Sequence, residues 1–363
     1  MEVRLRRAHT LLTYWKNGQL VFENYRTRVC ITAAPETLAI LDFFGRWRRP
    51  DELISQFSEY TRESVQAALR QLVEYTLLVR ENTPEAQQDS RMAKVWSAWL
   101  PHASFHFSTK DVPFLSGRKK AQLFRRYLTE SQPPRLFKRY GKVPRVKLPP
   151  FRAADGEFPR TLLARRTQRQ FAPRALPLGT LAELLFYTWG ITGFVQTPLL
   201  GRLPLKTSPS GGARHPGEVY VAALNVAGLP PGLYHYDTAR HSLECLRSGP
   251  MQDRALRYCA GQKYVRNAAA LFLMTAVFLR SMWKYRFARA YRVVLLDAGH
   301  LCQTFCLTAT WLGLAPFCTA ALKDSLIEKD LGVDGITESV LYVAGVGLPH
   351  PGVARAVTLR NLF

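Results

Sequence analysis

The first stretch of the chain alternates, then turns helical. VRLRRAHTLLTYW and QLVFENYRTRVCIT place apolar side chains at alternate positions, the signature of half-buried strands. ETLAILDFFGRW spaces Leu38, Ile40, Leu41 and Phe44 as one helical face and stops at Gly45. PDELISQFSEY opens with a proline and two acids, which suit a helix start. TRESVQAALRQLVEY begins with a capping pattern at Thr61 or Ser64 and gathers Val65, Leu69, Leu72 and Val73 on one side. TLLVR then returns as a strand. Strands, three helices and a closing strand predict a winged-helix-like module over residues 1–85. Modules of this kind bind DNA in some proteins and clamp peptides in others.

The polar run ENTPEAQQDS (81–90) reads as a boundary, and residues 86–157 as a linker and basic connecting segment. Arg118, Lys119, Lys120, Arg125, Arg126, Arg135, Lys138, Arg139, Lys142, Arg145 and Lys147 face a single acid, Glu130. Pro133, Pro134, Pro144, Pro149 and Pro150 interrupt the later part, so a short basic helix followed by an extended segment is expected. Such a run serves either as a solvated linker or as a docking strip for an acidic partner.

From residue 158 the texture changes again. LPLGTLAELLFYTWGIT predicts a helix that turns Leu181, Leu184, Leu185 and either Tyr187 or Thr188 inward. VYVAALNV, AAALFLMTAVF and SVLYVAGVGLP read as strands, and GLYHYDTARHSLECL as a hairpin turning at DTAR. RAYRVVLLDAGHLCQTFCLTATWLGL is a long apolar helix ended by Gly313. Strands and helices mix without regular βαβ alternation, so the fold class is α+β.

Composition narrows the function. The formal net charge is +23, a field that attracts acidic peptides, carrier proteins, anionic cofactors or nucleic acid. No run of about twenty apolar residues is evident, so no membrane span is expected. The start lacks the apolar core of a signal peptide. The six cysteines contain no CxxC pair, which suits a reducing cytoplasm.

Several clusters could carry chemistry. Arg165-Arg166-Thr167-Gln168-Arg169 would fork onto phosphate, although a solvated charge run has the same composition. Ser208-Pro209-Ser210-Gly211-Gly212-Ala213-Arg214 could bring backbone close to a ligand or form a plain turn; without a P-loop lysine it is no triphosphate site. Lys284 and Tyr285 are adjacent and can both serve proton transfer if burial or neighbours tune them toward neutrality. Cys302 and Cys306 stand one helical turn apart with His300 nearby, but no further ligand stands at a recognised spacing, so no metal is expected. GxSxG, HExxH and GxGxxG are absent.

The order RRTQRQF, PSGGARHPGEVY, GLYHYDTARHSLECL, WKYRFARAYRVVLLDAGHLCQTFCLTATWLGL and LYVAGVGLP resembles the SagB-type dehydrogenases of the nitroreductase superfamily, the azoline oxidases. The resemblance covers about 158–363. WSAWLPHASFHFSTKD resembles the approach to that domain, and the first module is similar in pattern to the peptide clamps fused to azoline oxidases.

The resemblance implies a nitroreductase-like FMN-binding fold, a mixed sheet flanked by helices, in an intertwined homodimer. It implies that Arg165, Arg166 and Thr167 hold the FMN phosphate and ribose, and that Arg169 reaches the pyrimidine edge. Pro209, Ser210 and Gly211 would approach the ring from the other subunit, with Arg214 near. A turn through Pro316, Phe317, Cys318 and Thr319 would offer backbone N–H groups to the ring. Arg360, or else Arg355, would add a phosphate contact. Thr167 and Thr319-Ala320 depart from the residues usual at those places. Lys284 and Tyr285 match the pair regarded as catalytic in azoline oxidases.

The expected activity is conversion of a thiazoline or oxazoline to an azole on a peptide or carrier-bound intermediate. Dioxygen would reoxidise the flavin, and a cyclodehydratase is a possible partner. The alternatives are an NAD(P)H-dependent nitro or quinone reductase, an inactive peptide-binding partner of a cyclodehydratase, and a nucleic-acid-binding regulator. The last leaves the second half unexplained.

Overall fold

A computed structural model describes residues 3–57, 60–115, 117–131 and 156–352. The chain divides into two compact units. The first comprises residues 1–110, 277–294 and 334–338, and the second 111–276, 295–333 and 339–363.

The first unit opens with β1 (Leu5–Arg7), β2 (Leu11–Lys16), β3 (Gln19–Asn24) and β4 (Val29–Thr32). Helices α1 (Glu36–Phe43), α2 (Pro50–Gln56) and α3 (Arg62–Glu74) follow, and β5 (Leu78–Arg80) closes against β1. Strands β2, β3 and β4 form an antiparallel meander. Helix starts follow local chemistry. Glu52 accepts from the Arg49 N–H at 2.9 Å, and the Thr61 hydroxyl accepts from Ser64 N–H at 3.2 Å. Leu41, Phe44, Leu53, Val65, Leu69 and Leu72 turn inward onto Leu20 and Phe22, whereas Leu38, expected on the same face, is exposed.

The polar run at 81–90 is structured. Thr83 caps α4 (Pro84–Val95) by accepting from Ala86 N–H at 3.3 Å, with Pro84 in the first turn. Asp89 is fully buried. It accepts from Arg6 Nη2 at 2.7 Å, from His9 N–H at 3.0 Å and from Thr10 Oγ1 at 3.0 Å. Helix α5 (Leu100–Ser108) follows. What reads as a polar linker is here a helix whose one buried acid satisfies donors from β1 and the turn after it.

The second unit begins with α6 (Gly117–Glu130) and α7 (Glu157–Ala164). Helix α6 buries no side chain and carries Arg118, Lys119, Lys120, Arg125 and Arg126. The rest of the basic strip lies outside the described residues. Next come β6 (Leu176–Pro177), α8 (Leu178–Trp189), the antiparallel hairpin β7 (Ile191–Thr197) and β8 (Gly201–Lys206), β9 (Gly217–Ala223) and β10 (Val226–Ala227). The predicted hairpin is β11 (Gly232–Asp237) with β12 (Ser242–Ser248). Asp237 makes its turn by accepting from Ala239 N–H at 2.9 Å. Helix α9 (Gln252–Tyr258), β13 (Ala270–Val277), α10 (Phe278–Lys284), α11 (Ala290–Trp311), β14 (Ala315–Thr319), α12 (Asp324–Leu331) and β15 (Glu338–Gly347) complete the order, with α10 and the first turn of α11 belonging to the first unit.

Six strands make the main sheet, in the order β12-β11-β9-β13-β15-β14. Both faces are covered. Val219, Val221, Phe272 and Met274 point to one core with α8 and α11. Tyr220, Ala222, Leu271 and Leu273 point to the other with α9 and α12. Burial on both faces explains why β13 reads as an apolar run interrupted only by Thr275. Thr188 of α8, not Tyr187, is the inward residue. Gly345 and Gly347 are dictated by packing. A Cβ at Gly345 would strike the Phe317 ring, and one at Gly347 would lie 2.6 Å from Phe171.

Helix α11 is long and apolar enough, by length and composition only, to cross a bilayer. It carries Asp297 and His300 and sends Cys302, Phe305, Cys306 and Ala309 into the core, as a central helix of a globular protein does.

Candidate active site

Lys284 and Tyr285 stand at the end of α10, in the first unit. Lys284 is exposed and Tyr285 half-buried. The Lys284 ammonium lies 5.4 Å from the Tyr285 ring centroid. The indole N–H of buried Trp99 donates to the Tyr285 carbonyl at 2.9 Å, and Tyr285 N–H donates to Ser281 O at 2.9 Å. The aromatic run WSAWLPHASFHF builds this support. Trp96 meets Phe278 edge-on at 4.9 Å and stacks on His106 at 5.2 Å. His106 Nδ1 bonds the Tyr291 hydroxyl at 2.8 Å. Burial holds the His106 imidazole neutral, pushing its pKa down to about 3.

The arginine-rich segment lies in the second unit. Arg165 directly follows α7 and is half-buried, while Arg166 and Thr167 are exposed. Neither Arg165 nor Arg166 pairs with a carboxylate among the described residues. Gln168 N–H donates to Pro316 O at 2.9 Å, which ties the segment to the edge strand β14. Gln168 Oε1 is buried without a hydrogen-bond partner. The Arg169 guanidinium lies 5.4 Å from the Tyr264 ring, and that ring meets Phe317 edge-on at 5.0 Å. Thr319 Oγ1 accepts from Gln262 at 2.8 Å. Residues 316–319, expected as a turn, are strand: β14 pairs antiparallel with β15, from Ala315 opposite Gly347 to Thr319 opposite Val343. Sheet pairing sends Phe317 to one face and Cys318 to the other.

The glycine-rich loop is held by a residue the sequence reading passed over. Asp297 of α11 accepts from the Ser210 hydroxyl at 2.6 Å and from Gly211 N–H at 3.2 Å. Ser210 Oγ also accepts from His215 N–H at 2.9 Å. Burial raises the Asp297 pKa, against the lowering pull of the Ser210 and Gly211 hydrogen bonds. An acid inside an otherwise apolar helix was the available signal. Ser208 Oγ reaches Thr304 Oγ1 at 2.8 Å, two turns further along. Pro209 is exposed and Arg214 half-buried. Gly212, Ala213 and His215 have φ of +65°, +53° and +44°, so the loop takes left-handed backbone at three positions. Arg360 and Arg355 lie outside the described residues.

Cys318 joins Cys302 and Cys306, with all three sulfurs within 4.8 Å of one another. The Tyr342 hydroxyl donates to Cys318 Sγ at 3.1 Å. Donation from Cys302 and then Cys306 pulls the Cys318 thiol pKa down, and Cys302 is pushed up in return. The third thiol could not be found by spacing, because the sheet supplies it.

The α+β core, with its sheet covered by helices on both faces, defines a nitroreductase-like fold. The sequence profile described as "Nitroreductase family" matches residues 162–348, and the chain belongs to that family. It is 28% identical over 320 residues to the trifolitoxin-processing protein TfxB of Rhizobium leguminosarum bv. trifolii, covering 83% of this chain and 85% of that one. It is 30% identical over 145 residues to the microcin B17-processing protein McbC of Escherichia coli, covering 38% of this chain and 53% of that one. Among solved structures, the E. coli microcin synthetase McbBCD complex with truncated pro-MccB17 bound contains a chain similar in fold, with TM-score 0.51 and 20% identity, over 72% of this chain and 97% of that one.

Proposed function

We propose that this protein is an FMN-dependent oxidase that converts thiazoline or oxazoline rings on a peptide to thiazoles or oxazoles. The observation that carries the reading is the likeness to a trifolitoxin-processing protein over 83% of the chain, well beyond the nitroreductase-family span. A peptide-processing relative of that length favours a modified peptide as substrate over a free nitroarene or quinone.

The residues present fit FMN. Arg165 and Arg166 offer guanidiniums that pair with no carboxylate among the described residues, suited to a phosphate. The orphaned Gln168 Oε1 is a buried acceptor that a hydroxyl or ring N–H would satisfy. When bound, FMN would supply the hydride acceptor, with dioxygen as final oxidant. The ring loses one hydride and one carbon-bound proton. Lys284 or Tyr285 takes that proton, and the Trp99 hydrogen bond fixes the backbone from which both extend.

The two faces of α11 support a homodimer. At roughly 100° per residue, Asp297 and Thr304 share one face, while Cys302 and Cys306 point to nearly the opposite one. The glycine-rich loop docks on the first face and β14 on the second. A ligand needing both the loop and the arginine segment would draw them from two copies of the chain.

The first unit is the place for the rest of the peptide. A cavity of about 320 Å³ is lined by Leu5, Pro50, Leu69, Val73 and the basic Arg70 and Arg80. Apolar walls with two guanidiniums suit a peptide with acidic residues beside an apolar anchor, and a cyclodehydratase partner would deliver it.

The test is the visible spectrum of the purified protein, followed by turnover of an azoline-containing peptide in air. Wild type should be yellow, release FMN and form azole, and Lys284→Ala and Tyr285→Phe should lose turnover while staying yellow. A colourless protein that takes up no FMN would overturn the proposal. NAD(P)H-driven reduction of a quinone without azole formation would move it to the reductase alternative.

A further inference from the structure

We propose that Cys302, Cys306 and Cys318 form a three-sulfur site for a soft closed-shell cation, Zn²⁺ or Cu⁺. Cys302 and Cys306 occupy successive turns of α11, and β14 brings Cys318 across to them. All three sulfurs lie within 4.8 Å of one another. Metal–sulfur bonds of about 2.3 Å place the ligands of one ion roughly 4 Å apart, so small side-chain rotations close the site. Among the described residues no carboxylate or imidazole shares the cluster, and an all-sulfur set selects soft ions over Mg²⁺ or Ca²⁺.

The surroundings fit a built site. Cys302 and Cys306 are buried, which fixes their direction, and Cys318 is half-buried on an edge strand, which gives an ion a way in. The Tyr342 hydroxyl at 3.1 Å from Cys318 Sγ is placed to donate to a coordinated sulfur, as outer-shell groups do. A disulfide would use two of the sulfurs and strand the third, whereas one ion uses them all. Binding forms three metal–sulfur bonds and releases the thiol protons to solvent. The ion would clamp β14 to α11.

The test uses the full-length protein under reducing conditions, with Cd²⁺ as probe. Cd²⁺ should raise an ultraviolet thiolate charge-transfer band that saturates at one ion per chain. Saturation should block iodoacetamide labelling of Cys318, read by peptide mass mapping. The exposed Cys30 and Cys245 serve as internal controls that stay reactive. Cys318→Ala should weaken Cd²⁺ uptake by more than about tenfold, and Cys302→Ala likewise. The wild-type labelling experiment decides the matter if either variant misfolds. No band, unprotected Cys318, or a Cys318 disulfide that persists under reducing conditions would each overturn the proposal. The site is independent of the flavin reading, because flavin-free protein should take up Cd²⁺ equally.

Discussion

The indole N–H of Trp99 donates to the main-chain carbonyl of Tyr285 at 2.9 Å, across 186 residues of sequence. Trp99 is fully buried, and the bond to the half-buried Tyr285 is part-buried. Its consequence is that the Lys284-Tyr285 segment is positioned by the aromatic run at 96–107. Trp99→Phe keeps a ring but removes the donor and leaves a carbonyl unsatisfied, at a cost of about 1–3 kcal/mol. We expect azoline turnover to fall about tenfold with FMN content unchanged. Wild-type turnover in this variant would show that the proton-transfer pair needs no such anchor.

Arg166 tests the cofactor separately. It is exposed and pairs with no carboxylate among the described residues, so its removal costs no native ion pair. If it holds the FMN phosphate, Arg166→Ala deletes charge-assisted hydrogen bonds worth about 1.5–3 kcal/mol. FMN dissociation measured by flavin fluorescence should then weaken by roughly 10- to 100-fold. The melting temperature of flavin-free protein should not change. Undiminished FMN affinity would remove Arg166 from the phosphate site.

The elements of the fold were legible where periodicity spoke alone. Val65, Leu69 and Leu72 on α3, and β13, apolar but for Thr275, are buried as the pattern requires. The helix of residues 84–95 was hidden because composition reads ENTPEAQQDS as solvent-facing, although Thr83-Pro84-Glu85 is a helix start. Its buried Asp89 is a tertiary fact, since its donors lie about 80 residues earlier. The same limit hid Asp297, which looks like a stray acid until Ser210 and Gly211 are folded against it. Cys318 is a third case: strand pairing, not spacing, joins it to Cys302 and Cys306.

Asp89 also makes a stability prediction. Asp89→Ala leaves the Arg6 guanidinium, buried beside it, without its counter-charge and takes away the acceptor of the His9 N–H. Breaking a buried pair from one side costs about 3–5 kcal/mol. Denaturant unfolding followed by tryptophan fluorescence should show the midpoint of the first unit falling sharply, with Asp89→Asn intermediate. A midpoint within error of wild type for the alanine variant would show that the buried network contributes nothing net.

His235 gives the pH dependence its sign. On β11 it sits between Glu244 of β12, 2.9 Å from Nδ1, and Glu218 of β9, 3.2 Å from Nε2. The hydrogen bond to Glu218 leads in raising its pKa to about 9, with burial opposing and Glu244 assisting. In the unfolded chain the same imidazole loses its proton near 6.5. Between those values the folded state holds a proton that the unfolded state has released. The His235 contribution is therefore complete below about pH 6.5 and disappears as pH rises through about 9. The three side chains are partly exposed, so solvent screening leaves on the order of 1 kcal/mol. His235→Gln should lower unfolding free energy by about that amount at pH 6 and by almost nothing at pH 10. Paired denaturant titrations at the two pH values measure the gap. A gap that stays constant, or grows with pH, would mean that the histidine is not held protonated between the two glutamates.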